Sequence, residues 1–316
     1  MKKRFLIVGD NHLDSKTPEN RIDNFLESGM MELRETLQIA KAAQVDYFIL
    51  LGDVFDRLDV GGVCRNKALS ILTSDEGAPW PFEKYVVVGN HDIAHKPTYL
   101  ENSALGSLIA SGCVKKCDTI DKLPVRFFHF YPELDEDLRQ NILTRYSEKI
   151  YFCHASIVDK PSRFDHVLFS DLKFNDEAKM IVSGHIHAPM VSEKNGVKFF
   201  NPGSLGRTKI DEKHTPQVLL IQYDFSNDTI QHKYLKLKNS LSHDIVFDID
   251  RSMKKKAEEK NTELFIDSAT NVDISDNITG DINEDLIKFA EKIHVDKKVV
   301  DEVINAINII KTGGYL

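Results

Sequence analysis

The sequence predicts a four-layer α/β/β/α sandwich followed by a small C-terminal α+β cap and terminal helices. Three observations carry that expectation. Through the first half, short apolar runs of strand length alternate with segments of helical periodicity. Several of the runs end in a cluster of Asp, Asn, His and Gly. From Val197 to Leu237 the texture changes to successive short strands broken by Asn-Pro-Gly and Asn-Asp, with no long helix. Two sheets packed face to face with helices outside would bury both kinds of run.

Taken in order, Phe5 to Val8 is the first strand. Ile22, Leu26, Met30, Leu33, Leu37 and Ala40 recur at helical spacing and predict a helix over 21–43. Tyr47 to Leu51 is the second strand, and a helix near 63–72 leads to the third, Tyr85 to Val88. A further helix is expected over about 103–111. Leu134, Leu138 and Ile142 space an acidic segment into an exposed helix within 132–146. Ile150 to Cys153 and Met180 to Val182 are strands. Polar residues at 238–244 mark a boundary, giving a catalytic domain at 1–238, a capping segment at 239–280 and C-terminal helices at 281–316. Within the cap, 245–249 and 263–266 read as strands around a charged helix near 253–260, and 271–280 as a polar linker. Helices near 283–293 and 297–310 follow. The second carries Val299, Val300, Val303, Ile304, Ile307 and Ile310 as a continuous apolar stripe.

Composition narrows the class. At 316 residues the chain can bury a large core plus an accessory unit. The formal charge of −8 argues against a uniformly basic nucleic-acid coat but leaves room for a local basic groove. No apolar stretch approaches the roughly 20 residues that span a bilayer, so no membrane association is expected. The basic start Met1-Lys-Lys-Arg4 leads into an apolar run that Asp10 interrupts, which fits a first strand and not an export signal. Cys64, Cys113, Cys117 and Cys153 have neither zinc-ribbon nor redox-motif spacing, so reduced thiols in a cytoplasm are expected.

The chemistry sits where apolar runs end: Asp10-Asn11-His12, Gly52-Asp53-Val54-Phe55-Asp56, Gly89-Asn90-His91-Asp92, His154 and Gly184-His185-Ile186-His187. Loops leaving the carboxyl ends of strands line the crevice of an open α/β sheet, so these clusters should converge. Carboxylate, amide oxygen and imidazole together make a mixed O/N ligand set suited to divalent transition metals. In extended backbone the rings of His185 and His187 would share one face while Ile186 points into the core. His129, in Phe127-Phe-His-Phe130, reads as a strand residue. His95, His166, His214, His232, His243 and His294 belong to no motif and read as surface residues. The aromatic stretch from Phe164 to Phe174 reads as core packing, with base stacking as the alternative.

These residues resemble the calcineurin-like metallophosphoesterase superfamily, whose pattern runs D-x-H, G-D-x-x-D, G-N-H-D, H, G-H-x-H. The resemblance implies two divalent cations, with Asp53 bridging them. Asp10, His12 and His187 would complete one site, and Asn90, His154 and His185 the other. It also implies that His91 assists the leaving group, while Asp92 orients His91 or braces the loop. Asp56 transfers less cleanly, since some members carry histidine there. Asp56 and Arg207 are candidate substrate contacts, and Asn201-Pro-Gly-Ser204 resembles a turn frequent in the superfamily. Histidine-rich sites favour manganese over magnesium.

Among the branches, protein phosphatases fit poorly, since Asp92 stands where they carry Glu and Leu58 follows Arg57. Lipid-pathway pyrophosphatases usually have Arg in place of His91. The chain is most similar to the SbcD-type DNA exonuclease family in Asp10-Asn-His-Leu13, Gly52-Asp-Val-Phe55, Gly89-Asn-His-Asp92 and Gly184-His-Ile-His187. That resemblance implies a manganese-dependent exonuclease or endonuclease acting on DNA with an SMC-like coiled-coil ATPase. The apolar stripe of the terminal helix would pack on the chain's own cap, or else dock the ATPase or a second copy of the chain. Asn11 in place of an aromatic, Asp14 in place of Gly, and the Asn-Pro-Gly-Ser turn depart from that family. That turn, with Gly89-Asn-His-Asp92, resembles instead the small phosphodiesterase group, which generally lacks a long C-terminal extension and implies as the alternative a phosphodiesterase acting on a nucleotide or other small phosphoester. A metal-bound scaffold with vestigial catalysis would lack ligands, and none is missing.

Overall fold

The computed structural model describes residues 1–255, 262, 282–292 and 297–311. They divide into two compact units, Met1–Phe247 and Asp248–Leu316.

In the first unit, β1 (Lys2–Val8) leads to helix α1 (Phe25–Ala42), then β2 (Tyr47–Leu50), α2 (Gly62–Thr73), β3 (Glu83–Val86) and α3 (Ala104–Ala110). The chain then crosses to β4 (Val125–Phe128), α4 (Leu134–Arg139), β5 (Ile150–His154), β6 (Met180–Gly184), β7 (Met190–Lys194) and β8 (Val197–Asn201). It returns through β9 (Gln217–Asp224) and β10 (Thr229–Lys236). One sheet runs β10-β9-β1-β2-β3, with β1, β2 and β3 parallel. The other runs β7-β8-β6-β5-β4, with the last four parallel.

Alternation along each strand builds the layers. Leu6 and Val8 of β1 and Phe48 and Leu50 of β2 face the layer under α1, α2 and α3. Phe5, Ile7, Tyr47 and Ile49 face the opposite way and meet Ile150, Phe152, Met180 and Val182 of the second sheet. Tyr151 and Cys153 alternate outward to a third layer closed by Leu134, Leu138, Phe169 and Phe199. The result is the α/β/β/α sandwich that the sequence predicts. Among the described residues no helix is long and apolar enough to cross a membrane.

Several expected boundaries move for physical reasons. Helix α1 starts at Phe25, not residue 21, because the Asn24 side chain caps the N–H of Glu27, which leaves Ile22 exposed. The helix expected over 132–146 breaks after Arg139, with Asn141 in the left-handed region, and resumes as a short 3-10 turn at Ile142–Arg145. Strand β7 precedes the point where the run of strands was expected to begin. The segment after β10 is held tightly within the first unit. Glu35 of α1 accepts the N–H groups of Lys238 (2.7 Å) and Asn239 (2.9 Å), and Glu32 accepts the Ser240 hydroxyl (2.7 Å). Burial lifts the Glu32 carboxyl to about 7, against the Ser240 hydrogen bond and the charges of Arg207 and Arg21.

Residues 245–249 do not form the expected strand. Adjacent Val246 and Phe247 are both buried while Ile245 and Ile249 are exposed, a pattern no one-faced strand can satisfy. A helical turn at His243–Val246 solves it, and Phe247 bridges to Arg21.

In the second unit, helix 249–255 overlaps the start of the charged helix expected near 253–260. The expected strand at 263–266 and the linker at 271–280 lie outside the described residues. Helices α5 (Ile282–Lys292) and α6 (Lys297–Lys311) pack as a pair, with Val299, Val300, Val303 and Ile304 gathered on Leu286 and Ala290. Part of the apolar stripe is therefore covered by the preceding helix. The side chains of Ile307 and Ile310 lie outside the described set.

The end of β1 meets the turn after β8 so closely that a Cβ on Gly9 would lie 2.0 Å from the Gly203 carbonyl oxygen. Gly9→Ala should therefore destabilise the first unit by about 1–3 kcal/mol through forced backbone displacement. Urea titration should read this as a lower midpoint at unchanged slope, and an unshifted midpoint would refute the close approach.

Candidate metal centre

The polar clusters at the strand ends converge on one cleft, with residues supplied by both sheets. Asp10 and His12 follow β1, Asp53 follows β2, and Asn90 and His91 lie beyond β3. His154 ends β5, and His185 and His187 follow β6. Asp10, His12, Asp53, Asn90 and His154 are buried.

Two groups of donor atoms form. In the first, the Nε2 atoms of His12 and His187 face each other at 3.0 Å, and His187 Nε2 lies 3.6 Å from Asp10 Oδ2. In the second, Asn90 Oδ1 lies 2.9 Å from both His154 Nε2 and His185 Nδ1, which are 3.2 Å apart. Asp53 Oδ2 stands between them, 3.3 Å from His154 Nε2 and 3.8 Å from His12 Nε2. The other oxygen, Oδ1, accepts the His91 N–H at 2.9 Å. Asp10, His12 and His187 satisfy the geometry of a candidate metal site, as do Asp53, His154 and His185, and a further set of His12, Asp53 and His91.

The chemistry of the donors fits divalent cations. Asp10 Oδ2 is buried with no hydrogen-bond partner, an unsatisfied acceptor that costs free energy unless a positive group meets it. Burial opposes a charged imidazole at His12, yet the Asp56 hydrogen bond and the charges of Asp53 and Asp10 lift it to about 9. At His154 burial is likewise outweighed by Asp53, and the value rises to about 10. His185 is instead driven down to about 3 by burial and by the neighbouring His154 charge. A field that loads protons onto buried histidines is one that attracts cations.

The rings are aimed from behind. His154 Nδ1 donates to the Leu51 carbonyl at 2.7 Å, His12 Nδ1 meets Asp56 Oδ1 at 3.0 Å, and His187 Nδ1 pairs with Glu212. Each partner fixes the tautomer that leaves Nε2 free for a cation. His91 Nδ1 donates to the Asp56 carbonyl at 2.7 Å, so its other nitrogen is left for the cleft.

Backbone geometry makes the convergence possible. His12, Asp53 and His185 all have positive φ, at 48°, 45° and 76°. The bend at His185 replaces the extended backbone expected there, and Ile186 lines the cleft instead of entering the core. Gly89 lets the third loop approach, since a Cβ there would lie 2.2 Å from Asp53 Oδ1. The Asn201-Pro-Gly-Ser204 turn clasps the site from below. Ser204 N–H donates to the His187 carbonyl, while those of Leu205 and Gly206 donate to the Asp10 carbonyl.

Other expected site residues stand elsewhere. Asp92 does not orient His91. Its carboxylate accepts the N–H groups of Gly89 (2.9 Å) and Phe55 (3.1 Å), and burial beside Asp53 lifts it to about 7. It is a loop brace. Asp56 lines the cleft, but one carboxylate oxygen is engaged with His12. Arg207 is buried away from the cleft lining, donating to the Leu241 carbonyl at 2.6 Å, so it is not a phosphate contact in this arrangement. His129 lies just past β4 and accepts the Val88 N–H. His214, expected on the surface, is half-buried in the cleft wall, with Nε2 donating to the Ser204 carbonyl.

Sequence reasoning missed Glu212, which follows no apolar run and belongs to no motif. It also missed the ion pair of Asp14 with Arg57, whose two nitrogens donate at 2.6 and 2.8 Å. That pair ties the loop after β1 to the loop after β2.

A family model described as the calcineurin-like phosphoesterase superfamily domain matches residues 4–224. No curated protein matches the sequence. Among solved structures, an archaeal phosphodiesterase is 13% identical over 73% of this chain and 99% of its own, at a TM-score of 0.39. A dimetal phosphatase from Danio rerio is 11% identical over 74% and 98%, at 0.47. The anchor protein of the inner membrane complex of Plasmodium is 14% identical over 76% and 86%, at 0.49.

Glu212 generates a prediction about metal retention. Its Oε1 faces His187, and its Oε2 accepts the N–H groups of Thr208 (2.7 Å) and Lys209 (3.1 Å). Glu212→Ala frees both the ring and the loop, so affinity for manganese should fall by about 10- to 100-fold. Calorimetric titration of the chelator-stripped protein reads this directly, and an unchanged isotherm would dismiss Glu212 as a ring anchor.

Proposed function

Because the chain belongs to the calcineurin-like phosphoesterase superfamily, and so is a metal-dependent phosphoester hydrolase, we propose that it cleaves phosphodiester bonds in DNA. The observation that carries the hydrolytic part is the position of Asp53 Oδ2 between two imidazole-rich donor groups. Asp10, His12 and His187 with Asp53 would hold one divalent cation. Asn90, His154 and His185 with Asp53 would hold the other. Manganese suits this mixture of imidazole and carboxylate better than magnesium, which prefers oxygen and water. Bound there, such cations acidify a water and offset charge on the phosphoryl oxygens.

The chain's own residues do the rest. Asp56, Glu212 and the Leu51 carbonyl hold the ligand rings at fixed angles. His91 is part exposed on the cleft, with Nδ1 committed to the Asp56 carbonyl, which leaves Nε2 to give a proton to the departing oxygen. Asp92 keeps the loop of Asn90 and His91 against that of Phe55.

The SbcD-type reading rests on Asp10-Asn-His-Leu13, Gly52-Asp-Val-Phe55 and Gly184-His-Ile-His187, together with a separate C-terminal unit that contains a helix pair. That pair is the element we assign to docking an SMC-like coiled-coil ATPase. A second reading, a phosphodiesterase for a nucleotide or other small phosphoester, is favoured by the Asn201-Pro-Gly-Ser204 turn and its clasp on Asp10 and His187. Manganese-supplemented digestion of end-labelled single- and double-stranded DNA beside a small chromogenic diester separates them. Cleavage of the small diester alone would overturn the DNA reading.

Excess chelator should abolish hydrolysis, and Asp53→Asn should remove most of it by deleting the bridging charge. Full turnover in chelator would sink the two-cation reading. His91→Ala should slow turnover by about 10²–10⁴-fold while metal content stays near that of the unaltered protein. A parallel fall in bound metal, measured by elemental analysis, would reassign His91 from proton donor to ligand.

A further inference from the structure

The cleft that holds the donor groups has an apolar side which the hydrolytic machinery leaves unused. It encloses about 480 Å³, and besides His91 and His185 its lining includes Phe164, Ile186, Ala188 and Lys209. The aromatic stretch from Phe164 to Phe174 divides into two roles. Phe169 is buried and stacks on Phe199 at 5.2 Å, and Phe174 packs beside it. Phe164 alone of these faces outward, 49% exposed, on the cleft.

An isolated exposed phenylalanine means little by itself. This one is held in place. The His166 ring meets it edge-on at 5.9 Å, and His166 Nδ1 donates to the Phe164 carbonyl at 2.6 Å. Arg139 of α4 donates to Asp165 Oδ1 at 2.6 Å and to the His166 carbonyl at 3.1 Å, which fastens the loop to the body of the fold. Exposed Lys160 and Arg163 lie on the same loop. A fixed aromatic face beside a phosphoester centre, with lysine and arginine nearby, is the combination that binds unpaired nucleobases along a charged backbone.

We propose that Phe164 is a stacking platform for one unpaired nucleobase, whose neighbouring phosphodiester lies at Asp53 and His91. The site then takes single strands or frayed ends, because both faces of a base inside a duplex are already stacked. Lys209 contributes the cation for an adjacent phosphate. This inference rests on the phosphodiesterase reading given above.

The test uses the full chain in manganese and fluorescence anisotropy with two labelled phosphorothioate oligomers of equal length, which keep the backbone charge and resist hydrolysis. One is oligothymidylate and the other an abasic deoxyribose chain. The unaltered protein should prefer the thymidylate. Phe164→Ala should weaken thymidylate binding by about 5- to 100-fold and leave abasic binding unchanged, while Phe164→Trp keeps the preference. Equal binding of both oligomers by the unaltered protein, or a preference that survives Phe164→Ala, overturns the platform. Manganese-dependent turnover of a small diester by the unaltered protein is read separately. Absence of both this turnover and DNA cleavage would defeat the phosphodiesterase reading, while the anisotropy ratio would still decide the platform.

Discussion

Buried negative charge at the meeting of two sheets is the constraint on which the rest of this structure depends. Asp10 and Asp53 are almost wholly removed from water, with Asp92 buried beside them. Carboxylates in such surroundings are tolerated only where positive charge or hydrogen-bond donors compensate them. The chain supplies imidazoles from both sheets, His12 from the first and His154 and His187 from the second, and the backbone N–H groups of His91 and His185. Asp53 illustrates the balance. Burial alone would raise its pKa, but the His154 charge and hydrogen bond, with help from His12, drive it well below the usual carboxylate range. Asp92 has only backbone donors and shifts the other way.

This arrangement makes the inter-sheet core a determinant of the chemistry. Asp10, His12, Asp53 and Asn90 move with one sheet, and His154, His185 and His187 with the other. Their separations are set by how Phe5, Ile7 and Ile49 seat against Phe152 and Val182. Interiors packed to crystal-like density do not slide continuously, so the two half-sites are held in register. The left-handed backbone at His12, Asp53 and His185 is held by the same means. Asn11 and His12 both donate to the Asp53 carbonyl, and the His185 N–H reaches Asp10 Oδ1. Strain of this kind persists at functional sites where surrounding hydrogen bonds over-determine it.

The strand ends were legible in the sequence because burial on both faces of a parallel strand writes a continuous apolar run, and the clusters follow those runs directly. What was not legible depends on hydrogen-bond partners far away in the chain. Arg207 reads as an anion contact from its proximity to the Asn-Pro-Gly-Ser turn, yet the Leu241 carbonyl and the charge of buried Glu32 in α1 claim it. Glu212 lies in a stretch without periodicity, and only the fold brings it behind His187. Ile186 separates two histidines as a strand residue would, but the positive φ at His185 turns it toward the cleft. Where the cap was expected to begin, the apolar run at 245–249 resembles a strand only until one asks which of its residues are covered, and its buried Val246 and Phe247 belong to the first unit.

The loop between β8 and β9 is where these threads meet. Its first residues hang from the carbonyls of His187 and Asp10, and its middle residues Thr208 and Lys209 line the cleft. Its Glu212 joins the two, with one oxygen on the His187 ring and the other on the Thr208 and Lys209 N–H groups. A displacement of the cleft wall by a bound substrate must therefore be felt at His187, and a change in the seating of that ring must be felt at the wall. Coupling of this form needs no moving domain. It requires only one buried carboxylate whose two oxygens serve two different masters, and here its low exposure and depressed pKa keep it charged for both.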